Sequence, residues 1–328
     1  MESRLENKQQ YQHFASPKGF YMGILTGLEA FPKYLPSVYL YNDSGGGPLA
    51  ADALDEFYLL DREFQVLMGN LTELLDLLDA DSQAVHLFEF CPGAPEKRTF
   101  LLQQLLKRGA ELNYFPVDIS QDSIGELQDH LRKKFTALQT LGSIGGFLEA
   151  MEVQPAKAGG RRILQLLGES LSAVSREQAY GFFASLRPKL APGDRILMGS
   201  ELRKNPVSAQ LAQQEKSSTV RELSTNLLKR INRELHSDFE PGQFSLYQNY
   251  DPVSGLGKSF LISQSNQVVT INGAHMIRFE QHEAIEIKST QSYTLSEIAD
   301  LARGTGFSIE GQFTDANCWF MNAVWKAI

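Results

Sequence analysis

From residue 84 to about 200, short apolar runs alternate with amphipathic stretches of helical length, and this alternation limits the possible folds more than any other feature. AVHLFEF (84–90) is short and apolar almost throughout, as a strand covered on both faces must be. EKRTFLLQQLLKR (96–108) follows, with Leu101, Leu102, Leu105 and Leu106 on one helical face. LNYFPVDIS (112–120) predicts the next strand and its exit loop, and SIGELQDHLRKKF (123–135) a helix. RRILQLLG (161–168) then predicts a third strand, SREQAYGFFASLRPKL (175–190) a helix and DRILMGS (194–200) a fourth strand. Strand, helix, strand at this spacing requires right-handed crossovers, hence an α/β fold with a mostly parallel sheet.

The flanks follow other rules. Residues 1–80 are helical in pattern, punctuated at Phe31-Pro32, Leu35-Pro36 and the loop run from Asp43 to Pro48. The triplet Gly45, Gly46, Gly47 lacks the Lys and Ser/Thr that would make it a phosphate loop. A long helix is expected over 218–236, where Val220, Leu223, Leu227, Ile231 and Leu235 form one stripe. FSLYQNY, KSFLISQ, QVVTIN and AIEIKST then read as short strands of an antiparallel insertion. YTLSEIADLARGTGF (293–307) predicts a helix with Gly304 and Gly306 near its C-cap, and IEGQF with CWFMNAVW a final hairpin. The expected organisation is an N-terminal segment (1–80) contributing to a second domain, a core (81–200), an inserted α+β domain (201–289), and a helix and hairpin (290–328) completing the core.

A length of 328 residues suffices for two domains with cores of their own. With 42% hydrophobic, 21% charged and 10% aromatic residues, the composition is that of a globular protein. The net charge of -8 repels phosphate backbones and anionic membranes, so neither nucleic acid nor membrane is an expected partner. The basic runs Lys107-Arg108, Arg132-Lys133-Lys134 and Lys229-Arg230 read as solvated helix faces. Two cysteines and six scattered histidines show no metal-ligand spacing. A polar start and the absence of an 18-residue apolar window predict a cytoplasmic protein.

In an open parallel sheet the ligand lies beyond the carboxyl ends of the strands. Three loops meet that requirement. The first runs from Glu89 to Lys97, with Gly93 allowing close backbone approach and Pro92 fixing the turn. The second is Pro116-Val117-Asp118-Ile119-Ser120, where Asp118 either accepts both hydroxyls of a ribose or caps the following helix. The third is Leu167-Gly168-Glu169-Ser170.

Several stretches, in this order and spacing, resemble the histidine N-alpha-methyltransferase family of ergothioneine biosynthesis, from about Pro17 to the C-terminus. They are Tyr39 to Asp43, Glu56-Phe57-Tyr58, Glu89 to Lys97, Pro116 to Ser120, Pro192-Gly193-Asp194, Asn226 to Leu235 and Asp238-Phe239. The resemblance implies a Rossmann-like class I methyltransferase core, a second α+β substrate-binding domain, and S-adenosylmethionine as methyl donor to an amine. By position it implies that Tyr41 lies at the methionine end of the cofactor, that Gly93 belongs to the cofactor loop capped by Lys97, and that Asp118 holds the ribose. Glu89, Ser120 and Gly168 complete the expected cofactor set. The family's glycine, serine, glycine loop is here Cys91-Pro92-Gly93, and its acid near the adenine is replaced within Ser143 to Phe147.

On the acceptor side Tyr58 matches a tyrosine of the family's pocket. The family's asparagine, however, falls on Ala173, its second tyrosine near Gln213, and its glutamate and serine on Lys288 and Thr290. The expected activity is therefore N-methylation of an amino acid or related small amine other than free histidine. The alternative is a non-catalytic descendant that binds the cofactor or a partner. A nicotinamide oxidoreductase would need a G-x-G-x-x-G loop, which Cys91 to Glu96 does not supply. Tyr58 is the expected proton acceptor, ahead of Asp61, Glu63 and Glu286. Lys288 is expected either to face an anionic or neutral part of the acceptor, or to turn outward or pair with Glu286.

Overall fold

The computed structural model describes residues 17–40, 58–78, 84–90, 95–118, 121–135, 138–153, 160–168, 170–215 and 217–328. The chain begins with α1 (Pro17–Glu29), β1 (Lys33–Tyr34), α2 (Tyr58–Gly69), α3 (Leu71–Leu78), β2 (Ala84–Phe90), α4 (Pro95–Lys107), β3 (Glu111–Asp118) and α5 (Gln121–Lys134). It continues through β4 (Gln139–Thr140), β5 (Ser143–Ile144), α6 (Phe147–Val153), β6 (Arg161–Leu166), α7 (Arg176–Leu186), β7 (Arg195–Glu201), α8 (Pro206–Glu215) and α9 (Ser217–Leu235). The last elements are β8 (Phe244–Asp251), β9 (Leu256–Ser263), β10 (Gln267–Ile271), β11 (His275–Phe279), β12 (Ala284–Gln291), α10 (Leu295–Gly304), β13 (Phe307–Thr314) and β14 (Phe320–Ala327). Two compact units result: the first draws its described residues from 57–203 and 291–328, the second from 13–56 and 204–290.

In the first unit a single sheet has the order β13-β14-β7-β6-β2-β3-β4, with β5 also beside β3. Parallel pairing sets Glu89 opposite both Pro116 and Gln165, while β14 runs antiparallel to β7 and β13. Alternate residues then face opposite layers, because successive strand side chains point to opposite sides. Val85, Leu87, Leu112, Tyr114, Ile163, Leu197 and Val324 pack with Leu74, Leu78, Leu101, Leu105 and Leu127 of the early helices. Phe88, Phe115, Leu164, Ile196, Met198 and Trp325 pack on the other face with Met151, Phe183 and Ile298. This double coverage is why the strands read as continuous apolar runs. From β2 the chain fills the sheet toward β3 and β4, then crosses to add β6 and β7 on the other side. The switch point falls between β2 and β6.

The second unit holds a sheet of order β1-β12-β9-β8 and a separate antiparallel hairpin, β10-β11. Its core joins the α9 stripe, Val220, Leu223, Leu227, Ile231 and Leu235, to Phe20, Ile24 and Leu28 of α1 and to Leu261, Ile277, Ile285 and Ile287 of the strands.

Differences from expectation are local. The insertion is not purely antiparallel, since β1 pairs parallel with β12 through Lys33 opposite Ile285. A two-residue strand has no periodicity to read, and the same holds for β4 and β5. HMIRF, not anticipated as a strand, pairs with QVVTI across a turn in which Asn272 and Gly273 have positive φ. The helix over 175–190 ends at Leu186, because Pro188 can continue only as a 3-10 turn.

Candidate functional site

The carboxyl ends of β2, β3 and β6 frame the switch-point crevice, and Glu89, Asp118 and Gly168 lie on these strands and their exits. Asp118 is the last residue of β3, half-buried, with Ile144 of β5 opposite it. Its backbone carbonyl already accepts the N–H of Gly145 at 3.0 Å, a bond that does not engage its carboxylate. Helix α5 opens only at Gln121, so Asp118 is a strand-end acid and not the residue immediately before the helix.

Glu89 lies one residue before the end of β2 and is 1% exposed. Its carboxylate accepts from the Tyr114 hydroxyl of β3 and, at 2.7 Å, from Gln165 Nε2 of β6. These bonds tie the three strands together beneath the crevice. Buried carboxylates require such partners. Neither Tyr114 nor Gln165 stands out in the sequence as a polar partner, because register alone brings them beside Glu89.

Gly168, in the exit from β6, has φ 73. Its N–H donates to both carboxylate oxygens of Glu63, at 2.8 and 3.0 Å. The amide of Gly168, a residue of the expected cofactor set, is therefore bonded to Glu63. Ala173 lies further along the same connection and is exposed.

At the turn after β5, Gly145 (φ 125) and Gly146 precede α6. A Cβ on Gly146 would stand 3.1 Å from Glu149 Oε2, so a carboxylate from the first turn of α6 lies against this turn. A glutamate at the third helical position reaches back toward its cap in many helices, which places it here without further help. Phe147 is buried and packs edge-on against Phe90 at the end of β2, with centroids 5.6 Å apart.

In the second unit Gln213, Thr290 and Gly257 come together. A Cβ on Gly257 would be 2.7 Å from Gln213 Nε2 and 2.9 Å from Thr290 Oγ1, and Gln213 Nε2 donates to the Asn249 carbonyl at 2.9 Å. Lys288 stands two residues before Thr290 on β12 and is 9% exposed, so it does not turn outward. Glu286 bonds Lys258 of β9 at 2.7 Å. Tyr41, Gly93 and Ser120 lie outside the described residues. Tyr58 opens α2 and Lys97 lies in the first turn of α4; their side chains and that of Asp61 are likewise outside what is described.

An open parallel sheet with crossover helices on both faces and an antiparallel hairpin closing one edge has the Rossmann-like architecture of class I methyltransferases. The chain belongs to the family described as histidine-specific, SAM-dependent methyltransferases, which matches residues 20–327. It is 27% identical over 223 residues to the histidine N-alpha-methyltransferase of Mycobacterium tuberculosis, covering 67% of each chain. It is 25% identical over 309 residues to the N-methyltransferase imqF of Aspergillus flavus, covering 90% of this chain and 81% of that one. An S-adenosylmethionine-dependent methyltransferase structure from Clostridium acetobutylicum covers 84% of this chain at 10% identity, with a TM-score of 0.45.

The protein is thus an S-adenosylmethionine-dependent N-methyltransferase, with S-adenosylmethionine as its cofactor. The described residues fit that cofactor: the half-buried carboxylate of Asp118 at the end of β3 is an acceptor of the kind that would hold a ribose diol, whose two hydroxyls are donors. No described helix is long and apolar enough to cross a membrane.

Proposed function

We propose that this enzyme methylates the amine of an amino acid or related small amine other than free histidine, one that turns an anionic or neutral group toward Lys288. The first unit is read as the cofactor unit and the second as the acceptor unit, with Asp118 on the ribose and Gly93, Lys97, Tyr41, Ser120 and Gly168 around the remainder. S-adenosylmethionine supplies a methyl group on a sulfonium, and the protein's task is to align a neutral amine with it and exclude water.

The observation that carries the acceptor reading is the burial of Lys288 on β12, beside the cluster of Gln213 and Thr290. A buried ammonium opposes a second cation nearby by an energy that reaches about 4 kcal/mol at contact for an effective dielectric near 20. The resemblance puts a family glutamate at this position, so the charge presented to the acceptor is reversed. Gln213 and Thr290 offer neutral polar atoms in place of an aromatic hydroxyl and a serine. Tyr58 is the proposed proton acceptor for the amine. Two rival carboxylates are otherwise engaged, Glu286 with Lys258 and Glu63 with Gly168.

The test is an acceptor screen of the L-amino acids and their decarboxylated amines, run with the wild type and with Lys288→Glu. The reading requires the substitution to abolish the native activity and to improve tolerance of cationic amines. Identical acceptor profiles for both enzymes would refute it.

A further inference from the structure

Glu63 is a charged residue where a helix packing on a sheet would ordinarily present an apolar one. Helix α2 lies against β14 and β13, and its neighbouring core residues are Val66 and Leu67. Yet the Glu63 side chain is on this face and only 5% exposed. A buried carboxylate is costly unless hydrogen-bonded. The compensation comes from Gly168, whose N–H is shared by both carboxylate oxygens.

The space comes from Gly199 of β7. A Cβ there would fall on Glu63 Oε1 and stand 2.9 Å from Phe320 Cζ, so the glycine is what admits the carboxylate over the sheet. Asn322 of β14, directly opposite Gly199, donates through Nδ2 to the Glu63 carbonyl at 3.1 Å. The preceding residue extends the latch: Arg62 bonds Asp315 at 2.6 Å and lies 4.8 Å over the Trp319 ring, both in the β13-β14 turn. Packing alone would be met by an apolar residue at 63 and any small residue at 199. Instead the carboxylate is aimed at one backbone N–H, the glycine leaves it room, and the Asn322 amide holds the Glu63 backbone from the neighbouring strand.

That N–H lies in the exit from β6, on the rim of the crevice at the switch point between β2 and β6. We infer that Glu63 is a positioning residue of the cofactor crevice, holding the loop that leaves β6 in the conformation S-adenosylmethionine requires. It acts through Gly168 and takes no part in proton transfer. The inference rests on the reading of the first unit as the cofactor unit.

The test uses the full chain and S-adenosylhomocysteine as the calorimetric probe, with circular dichroism to verify folding. Glu63→Ala should weaken binding at least tenfold. Glu63→Gln, whose amide oxygen still accepts the Gly168 N–H, should stay within about threefold of the wild type. Gly199→Ala keeps the charge but pushes the carboxylate aside, and should weaken binding like Glu63→Ala. The double variant should be no weaker than the weaker single one, because both remove the same contact. If Glu63→Ala does not fold, Glu63→Asp replaces it, being too short to reach the amide and expected to lose tenfold.

Folded Glu63→Ala or Glu63→Asp and Gly199→Ala variants that bind within twofold of the wild type would overturn the inference. A Gln variant that loses as much as the Ala or Asp variant would do the same, since no rescue by the conservative change would remain. A wild type that fails to bind S-adenosylhomocysteine would instead overturn the cofactor-unit reading, which is a separate outcome.

Discussion

Replacing Asp118 with Ala tests the proposed ribose contact. The substitution leaves the backbone carbonyl that accepts Gly145 N–H, so the turn joining β3 to β5 keeps its hydrogen bond. What disappears is a half-buried carboxylate at the strand end, where a diol would donate two charge-assisted hydrogen bonds. A hydrogen bond to a charged group contributes about 1.5–3 kcal/mol net, so losing the pair should cost about 2 kcal/mol or more. That corresponds to roughly a thirtyfold rise in Kd. Calorimetric titration of wild type and Asp118→Ala with S-adenosylmethionine measures it directly, with thermal unfolding as the control for stability. An affinity within twofold of the wild type, in a variant of unchanged unfolding midpoint, would refute the ribose assignment.

The β13-β14 turn makes a stability prediction with a defined pH dependence. Burial alone would push the Asp315 carboxyl up, but the N–H groups of Phe320 and Trp319 and the Arg62 guanidinium outweigh it and hold it below the usual carboxylate range. The stabilisation is therefore present above the ordinary carboxylate pKa of about 4 and is lost as pH falls through the lower folded value. Asp315→Asn should cost about 2 kcal/mol at pH 7 and progressively less below pH of about 4, measured by urea unfolding; a difference that stays constant with pH contradicts the charge argument. Tyr58→Phe should lower kcat by about a hundredfold while leaving S-adenosylmethionine affinity unchanged, and an unaltered kcat would remove Tyr58 as proton acceptor.

The fold was legible because each parallel strand is covered on both faces. Val85, Leu87 and Phe88 are all buried, and a run of seven residues of which five are apolar, set between helical patterns, leaves few alternatives. That β3 ends at Asp118 was legible for the same reason, since the apolar run stops at the acid. The Glu63 latch was not. Its parts, Gly168, Gly199 and Asn322, are remote in sequence, and only the sheet order and the register of β7 with β14 bring them together. Lys288 shows the limit of strand periodicity. Ile287 and Lys288 are both buried, so alternation cannot say which way the lysine turns, and Glu286 bonds Lys258 of the adjacent strand.

The acceptor claim is tested most directly by incubating the wild-type enzyme with S-adenosylmethionine and free L-histidine and following the products by mass spectrometry. Ala173, Gln213, Lys288 and Thr290 stand where the resemblance puts the family's histidine-binding side chains, and lost hydrogen-bonding partners typically reduce discrimination-determining rates by orders of magnitude. The expected result is S-adenosylmethionine binding with no appreciable histidine methylation. Efficient trimethylation of histidine would contradict it.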